Sequence, residues 1–325
     1  MAYITELKYN QDGVPSAKYI VTGGAGFIGS HLVDALIDNG NEVIILDNLS
    51  TGKEENINPK AEFHKVDISS SPMNYQNLFE GVDAVFHLAA KARVQPSIED
   101  PLSFHHANMT GLLNMLECSR QHNVRRFVFS SSSSVYGDTE KFPTSEDAPL
   151  KPMSPYALQK LHGEQYCKMY NELYGIETVC LRYFNVYGER QSIEGAYTLV
   201  MGVFAQQRLS GKPMTIRGDG EQRRDFTYVH DVVHANIEAG LRREQYRFMG
   251  LAIPFSGNVF NVGAGDNRSV NEIAELIGGD RINVEAVLEP RQTMADNKKI
   301  REVLNWKPTM TVEEWIPRWK EELGL

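Results

Sequence analysis

Thr22-Gly23-Gly24-Ala25-Gly26-Phe27-Ile28-Gly29 constrains this chain more than any other segment. It lies between a short apolar run and a longer stretch of helical period. Gly23, Gly26 and Gly29 are three residues apart. At a strand–turn–helix junction the first such glycine permits a tight turn, the second lets backbone N–H groups approach a pyrophosphate, and the third lets the helix pack on the strand. The helix N-terminus adds partial positive charge facing the phosphates. In a chain with 26 glycines a spaced triplet means little by itself, so the context decides. Tyr19-Ile20-Val21 reads as the preceding strand. Phe27 to Asn39 reads as a helix with Ile28, Leu32, Ala35 and Leu36 on one face, and Val43 to Leu46 as the next strand. That strand ends at Asp47, 18 residues after Gly29, where a carboxylate accepts from ribose hydroxyls and repels a 2′-phosphate. NAD is therefore expected over NADP. The competing reading is a tight turn with a capping Asp.

The same rhythm continues. Phe63 to Val66, Ala84 to His87, Phe127 to Phe129 and Thr178 to Arg182 read as further strands, with helical stretches near 74–80, 101–122 and 155–174. Such alternation implies right-handed crossovers and a Rossmann-like, doubly wound parallel α/β sheet. Asp67-Ile68 and Leu88-Ala89-Ala90, at the third and fourth strand ends, are placed to wall the adenine and pyrophosphate. After Arg182 the rhythm breaks, as in Gly211-Lys212-Pro213 and Gly218-Asp219-Gly220. The expected organisation is a dinucleotide-binding domain over 1–182, with 1–16 as an extension, and a smaller α/β substrate-binding lobe over 183–325.

A net charge of −9 argues against a nucleic-acid surface, which needs a basic face. The three cysteines are odd in number and form no C-x-x-C pair, which fits a reduced compartment rather than a disulfide framework or thiolate metal site. No apolar run approaches a membrane span, and the first residues hold no signal-like core. A cytoplasmic location is expected.

Five serines, Ser130 to Ser134, followed by Val135-Tyr136-Gly137, come directly after the buried-strand run Arg126 to Phe129. A polyserine run elsewhere reads as linker. Here it leads to Tyr156, the only tyrosine in the chain with Lys four residues on, Lys160. Positions i and i+4 share a helix face, so both can reach one cavity. A free phenol has a pKa of about 10. Serving as a base near neutrality requires a shift that a Lys ammonium and a positive nicotinamide have the right sign to supply. The plainer reading is a helical Tyr packed by a Lys stem.

With these pieces the chain resembles an extended short-chain dehydrogenase/reductase, specifically the nucleotide-sugar epimerase/dehydratase family. The likeness runs from about 18 to 322. It is carried by the glycine turn, Ser130 to Gly137, Ser154-Pro155-Tyr156-Ala157-Leu158-Gln159-Lys160, Leu181 to Gly188, Arg224-Asp225-Phe226-Thr227-Tyr228-Val229, and Asn305-Trp306-Lys307-Pro308. The resemblance implies a catalytic Ser132 beside Tyr156 and Lys160. On the cofactor side it implies Phe27, Ile28, Asn48, Asn108, Ser130 and Phe184. On the substrate side it implies Ser133, Asn185, Ala196, Tyr197 and the diphosphate-binding Arg224 and Arg291. It further implies a homodimer formed through the helices near 101–122 and 155–174.

Within that family, dehydratases place Asp-Glu directly after the catalytic hydroxyl. Ser133 and Ser134 stand there in this chain and can neither take nor give a proton usefully at neutral pH. The chemistry left is redox without elimination: NAD-dependent 4-epimerisation of a UDP-hexose through a 4-keto sugar. Arg182 to Gln191, followed by Gly195-Ala196-Tyr197, most resembles UDP-N-acetylglucosamine/UDP-glucose 4-epimerases. UDP-glucuronate 4-epimerases share the serine run but typically carry Thr in place of Asn185. A dinucleotide sensor without turnover would fit the fold but commonly lacks the Tyr-Lys pair, and a net ketoreductase would consume added NAD(P)H. The stretch after Pro290-Arg291 is shorter than the family pattern, so the gate for an N-acetyl group does not map. His230 and His234, at i, i+4, have no third ligand nearby and the chemistry needs no metal. Arg242-Arg243 and Lys298-Lys299 read as solvated.

Overall fold

The apolar runs that read as buried strands assemble into one parallel sheet. The structure is a computed structural model, and it describes residues 16–194, 198–242, 246–248, 251–253, 255–286 and 289–325. The sheet contains β1 (Lys18–Thr22), β2 (Glu42–Asp47), β3 (Glu62–Lys65), β4 (Ala84–His87), β5 (Arg126–Ser132), β6 (Glu177–Tyr183) and β7 (Asn258–Val262). Their spatial order is β7-β6-β5-β4-β1-β2-β3, with every neighbouring pair parallel. The inner strands β1, β2, β4, β5 and β6, covered on both faces, bury nearly every residue, which is why they read as apolar runs, whereas β3 at the edge has none buried. Val21, Ile45 and Phe86 meet helices on one face, and Ile20, Ile44 and Val85 meet helices on the other. The order reverses between β1 and β4, the switch point at which open α/β sheets bind ligands beyond the strands' carboxyl ends.

Helices α1 (Phe27–Asp38) and α4 (Val229–Leu241) cover the first face with Leu32, Leu36, Val232 and Val233. Helices α2 (Gly111–Gln121) and α3 (Pro155–Tyr174) cover the second with Leu112, Leu116 and Cys167. Helix α3 is delimited by local chemistry. Ser154 Oγ accepts from the Ala157 N–H at 3.1 Å, Pro155 takes the first position, and Gly175 ends the helix at φ 73°. That cap fixes Tyr156 in the first turn. The stretch near 74–80, expected to be helical, forms two short 3₁₀ turns, Pro72–Asn74 and Gln76–Phe79, parted by Tyr75 at φ −148°.

The chain beyond residue 182 is divided between two places. One part forms a small lobe in which Met201, Phe204, Ile216, Ile273, Trp315 and Trp319 share a core. Its short parallel pairs are Asn185–Tyr187 with Phe226–Tyr228 and Met214–Arg217 with Arg281–Val284. The other part returns to the sheet: α4 packs on it, β7 adds its last strand, and Ile300, Leu304 and Trp306 join the sheet-side core. A lobe boundary at 182 therefore needs correcting in space. An uncovered β6 edge would leave a row of unpaired backbone groups, and β7 covers it. Residues 1–15 of the expected extension lie outside the described residues. Among the described residues no helix is long and apolar enough to cross a membrane.

Candidate active site

The glycine turn closes over the carboxyl end of β1. Gly23 adopts φ 71°, and a Cβ there would stand 2.8 Å from the Ala89 nitrogen. A Cβ on Gly29 would stand 2.1 Å from the Gly23 carbonyl oxygen. Both positions thus require glycine, one for the turn beside β4's end and one for the close helix approach. Thr22 Oγ1 accepts from the Ala89 N–H at 3.1 Å and pairs with His87 Nδ1 at 3.0 Å, so Leu88, Ala89 and Ala90 line the gap between β1 and β4. Burial, then the charge of Lys160, pushes the His87 imidazole down to about 3, so it stays neutral.

Asp47 is buried at the end of β2 and braces this turn. Its Oδ2 accepts from the Ala25 N–H at 3.0 Å and its Oδ1 from the Leu49 N–H at 2.8 Å. Asn48 donates to Asp67 at 3.3 Å, joining the ends of β2 and β3. Burial raises the Asp67 carboxyl, but bonds from Ser69 and Asn48 hold it below the usual carboxylate range. The Ile68 carbonyl accepts from Tyr75 and Asn114. Asn108 lies on a π-turn, His106–Thr110, that interrupts the helical stretch from 101 to 121. Its amide bonds both backbone groups of Lys91 and the Gln159 side chain, tying the segment after β4 to α3. Such π-turns often mark functional positions.

The serine run ends β5 and turns into the 3₁₀ segment Ser133–Tyr136. The Ser132 side chain lies beside the Tyr156 phenol. Lys160 Nζ donates to the Ser130 carbonyl at 2.7 Å and sits 5.8 Å from the Tyr156 ring centre. Ser130 Oγ pairs with the Tyr183 hydroxyl at 2.9 Å. Ser130, Ser132, Tyr156 and Lys160 are thus gathered at the switch point. Burial lowers the Lys160 ammonium to about 8. Burial raises the Tyr156 phenol, against the Ser132 hydrogen bond and the charge of Arg93, which lower it. Arg93 escaped the sequence reading. It follows Ala90 by three residues, adopts φ 97°, and starts the short helix Val94–Glu99, whose Ser97 Oγ accepts from the Tyr156 N–H at 3.2 Å. Its position just past β4's carboxyl end was the available signal.

Below the site, Arg182 and Glu164 form a buried bidentate pair at 2.8 and 2.7 Å. Ser131 donates to Glu164, and Arg182 donates to the Tyr136 hydroxyl, which links β5, β6 and α3. Phe184 packs with Val135, Tyr136 and Ala295. Asn185 bonds the Asp225 carbonyl through its backbone at 3.0 Å and its side chain at 3.3 Å. Asp225 is fully buried and accepts from the N–H groups of Ala264, Gly265 and Ala295. Burial pushes its carboxyl up to about 7, against those three bonds. Arg224 and Arg291 lie on the small lobe, each paired with a carboxylate, Glu289 and Asp219 respectively. Gly195, Ala196 and Tyr197 lie outside the described residues. His230 and His234 face different carboxylates, Glu189 and Glu238. Arg242 and Lys299 are not solvated as expected: each reaches back to a carbonyl, of Val303 and Val259.

The cradle between Gly23 and Ala89, with no room for a Cβ, the α1 N-terminus and the acid at the end of β2 fit a bound dinucleotide. The model of the NAD dependent epimerase/dehydratase family matches residues 19–263. The UDP-glucose 4-epimerase of Mycolicibacterium smegmatis is 38% identical over 315 residues, covering 92% of this chain and 96% of that one. The UDP-N-acetylglucosamine 4-epimerase of Methanobrevibacter ruminantium M1, solved with UDP-N-acetylmuramic acid, is 34% identical with TM-score 0.85, covering 95% of this chain and all of that one (100%). The UDP-glucuronic acid 4-epimerase of Bacillus cereus, solved with UDP-glucuronic acid and NAD, is 31% identical with TM-score 0.84, covering 94% and 99%.

Proposed function

The chain belongs to the NAD-dependent epimerase/dehydratase family, and within it we propose that this protein is a 4-epimerase of a UDP-hexose, UDP-glucose/UDP-galactose or their N-acetylated counterparts. One observation carries the reading: Ser132 lies beside the Tyr156 phenol and Lys160 is held under it by the Ser130 carbonyl, while Ser133 and Ser134 stand where an eliminating enzyme keeps its acid and base. NAD, when bound, supplies the hydride acceptor and donor. Tyr156 accepts the proton of the sugar's 4-hydroxyl and later returns it to the 4-oxygen on the other face. Ser132 holds that oxygen during both transfers. Lys160, held by the Ser130 carbonyl beneath the ring, keeps positive charge beside the phenolate. Asn185, Arg224 and Arg291 grip the nucleotide-diphosphate end, so the 4-keto sugar can turn while the remainder stays fixed. Ser133 and Ser134 cannot remove the proton at C5, so water is not expelled.

A uronate substrate is the second reading. It is supported by the likeness to the UDP-glucuronic acid 4-epimerase of Bacillus cereus, 31% identical. A panel of UDP-glucose, UDP-N-acetylglucosamine and UDP-glucuronate followed by NMR separates the two. The expected outcome is the 4-epimer of a neutral or N-acetylated sugar with no net NADH. A 4-keto-6-deoxy product or steady consumption of NAD(P)H would sink the epimerase reading.

The helices from 101 to 121 and 155 to 174 expose Leu102, Leu158 and Leu173 at 82%, 42% and 64%. Apolar side chains so exposed on two adjacent helices support homodimerisation through them. Sedimentation should give twice the chain mass, and Leu102→Lys with Leu173→Lys should halve it.

A further inference from the structure

Both arginines assigned to the diphosphate are already engaged. Arg224 Nη2 donates to Glu289 Oε2 at 2.5 Å, and Glu289 Oε1 accepts from the buried Gln222 amide at 3.2 Å. Arg291 forks Asp219 through two bonds, of 2.8 and 2.9 Å. A carboxylate taken by a guanidinium fork occupies the same N–H directions that a phosphate would use. Neither acid belongs to the core, the Glu289 and Asp219 side chains being 35% and 57% exposed. Asp219 stands between Gly218 and Gly220, both at positive φ (64° and 75°), on a turn held by the Gly218 N–H to the Val284 carbonyl and by Asn271 to the Asp219 and Gly220 carbonyls, so the exchange involves its exposed side chain alone.

We propose that Glu289 and Asp219 are internal stand-ins for the substrate's diphosphate, so that binding is an exchange in which each arginine releases a carboxylate. The inference rests on the diphosphate role given above to Arg224 and Arg291. Its consequence is selectivity. An anion's apparent affinity is its intrinsic affinity reduced to the fraction of protein whose forks are free. A diphosphate offers oxygens to both arginines and displaces both acids. A monophosphate reaches one fork and leaves the other acid close to its own negative charge. The two carboxylates therefore reject weak anions in the way that built-in competitors do.

The experiment is calorimetric titration of the NAD-loaded full chain with UDP, UMP and inorganic phosphate. Glu289→Gln should tighten UDP about 3- to 10-fold, the gain from freeing a fork occupied most of the time. Asp219→Asn should give about 2-fold, because an exposed pair holds weakly in water. In both variants UMP and phosphate should gain no more than UDP, because only the diphosphate needs both forks free. The Glu289→Gln gain should vanish in an Arg224→Ala background, a readout that a general change in folding would not reproduce. If Arg224→Ala weakens UDP while Glu289→Gln and the double Asp219→Asn/Glu289→Gln chain bind it no tighter than the parent, the exchange is overturned and the function reading stands. If Arg224→Ala leaves UDP affinity unchanged, both fall together.

Discussion

The corner that holds Tyr156 and the corner that holds Arg291 are built in opposite ways. Around Tyr156 the charged groups are buried and tied to the framework: Lys160 to the Ser130 carbonyl, and Arg182 to Glu164 with both side chains under one-tenth exposed. Around Arg291 the charges are exposed, at 61% and 57%, and beyond each other Asp219 has only the Glu221 N–H, at 3.0 Å. Groups that pass a proton must hold their geometry through the reaction, so they are fixed by backbone and buried partners. Groups that grip a ligand's charge must let go of something to receive it. The contrast separates a preorganised site from an exchangeable one.

The largest expected effect breaks the first corner chemically. Tyr156→Phe removes the proton carrier and keeps the ring, so kcat should fall by about 10²- to 10⁴-fold while NAD titration is unchanged. Retained turnover would remove Tyr156 as the base. Next comes the support beneath it. Glu164→Gln leaves the Arg182 guanidinium buried beside an uncharged partner, which costs about 3–5 kcal/mol when a buried pair is broken. Urea unfolding should read that loss. Replacing both partners by apolar residues of similar volume should recover much of the stability, yet not kcat, because α3 would lose its register on β5.

Asp225 lies between the two corners and titrates. Its folded carboxyl is raised from 3.8 to about 7, chiefly by burial. The folded state therefore binds its proton more tightly than the unfolded chain. Its stabilising contribution is complete below about pH 4, is lost as pH rises to about 7, and is level above. Unfolding from pH 4 to 8 should show this decline, on the order of 4 kcal/mol. Asp225→Asn should flatten it; an unchanged slope would assign the decline to another group.

How much of this was legible in the sequence follows the same divide. The glycine turn, the β5 serine run and the Tyr156–Lys160 pair were readable because each is set by contiguous residues or by one helical turn. The parallel sheet was readable because its inner strands, buried on both faces, are apolar runs. What escaped depends on distant segments meeting. β7 is five residues, Asn258–Val262, between turns, and its place beside β6 is fixed only when the sheet closes. Arg242 and Lys299 look like surface cations, but their long stems reach carbonyls across the fold. Arg93 carries no motif; its meaning comes from φ 97° and the docking of Ser97 on Tyr156. The Arg291–Asp219 pair spans 72 residues, beyond any local period.

The smallest expected effect tests that exposed pair. Arg291→Ala should leave the thermal midpoint where it is, since two solvated side chains exchange each other's charge for water with little net change. The backbone of this segment is held independently: Arg223 donates its N–H to the Arg291 carbonyl, and the Thr293 N–H returns to the Arg223 carbonyl. The loop should therefore keep its course when the side chain is lost. UDP affinity should still fall, and fall less in 0.5 M salt than in dilute buffer, because an exposed fork works through a screened field. A lowered midpoint would make Arg291 part of the framework, like Arg182, and would erase the distinction between a fixed corner and an exchangeable one.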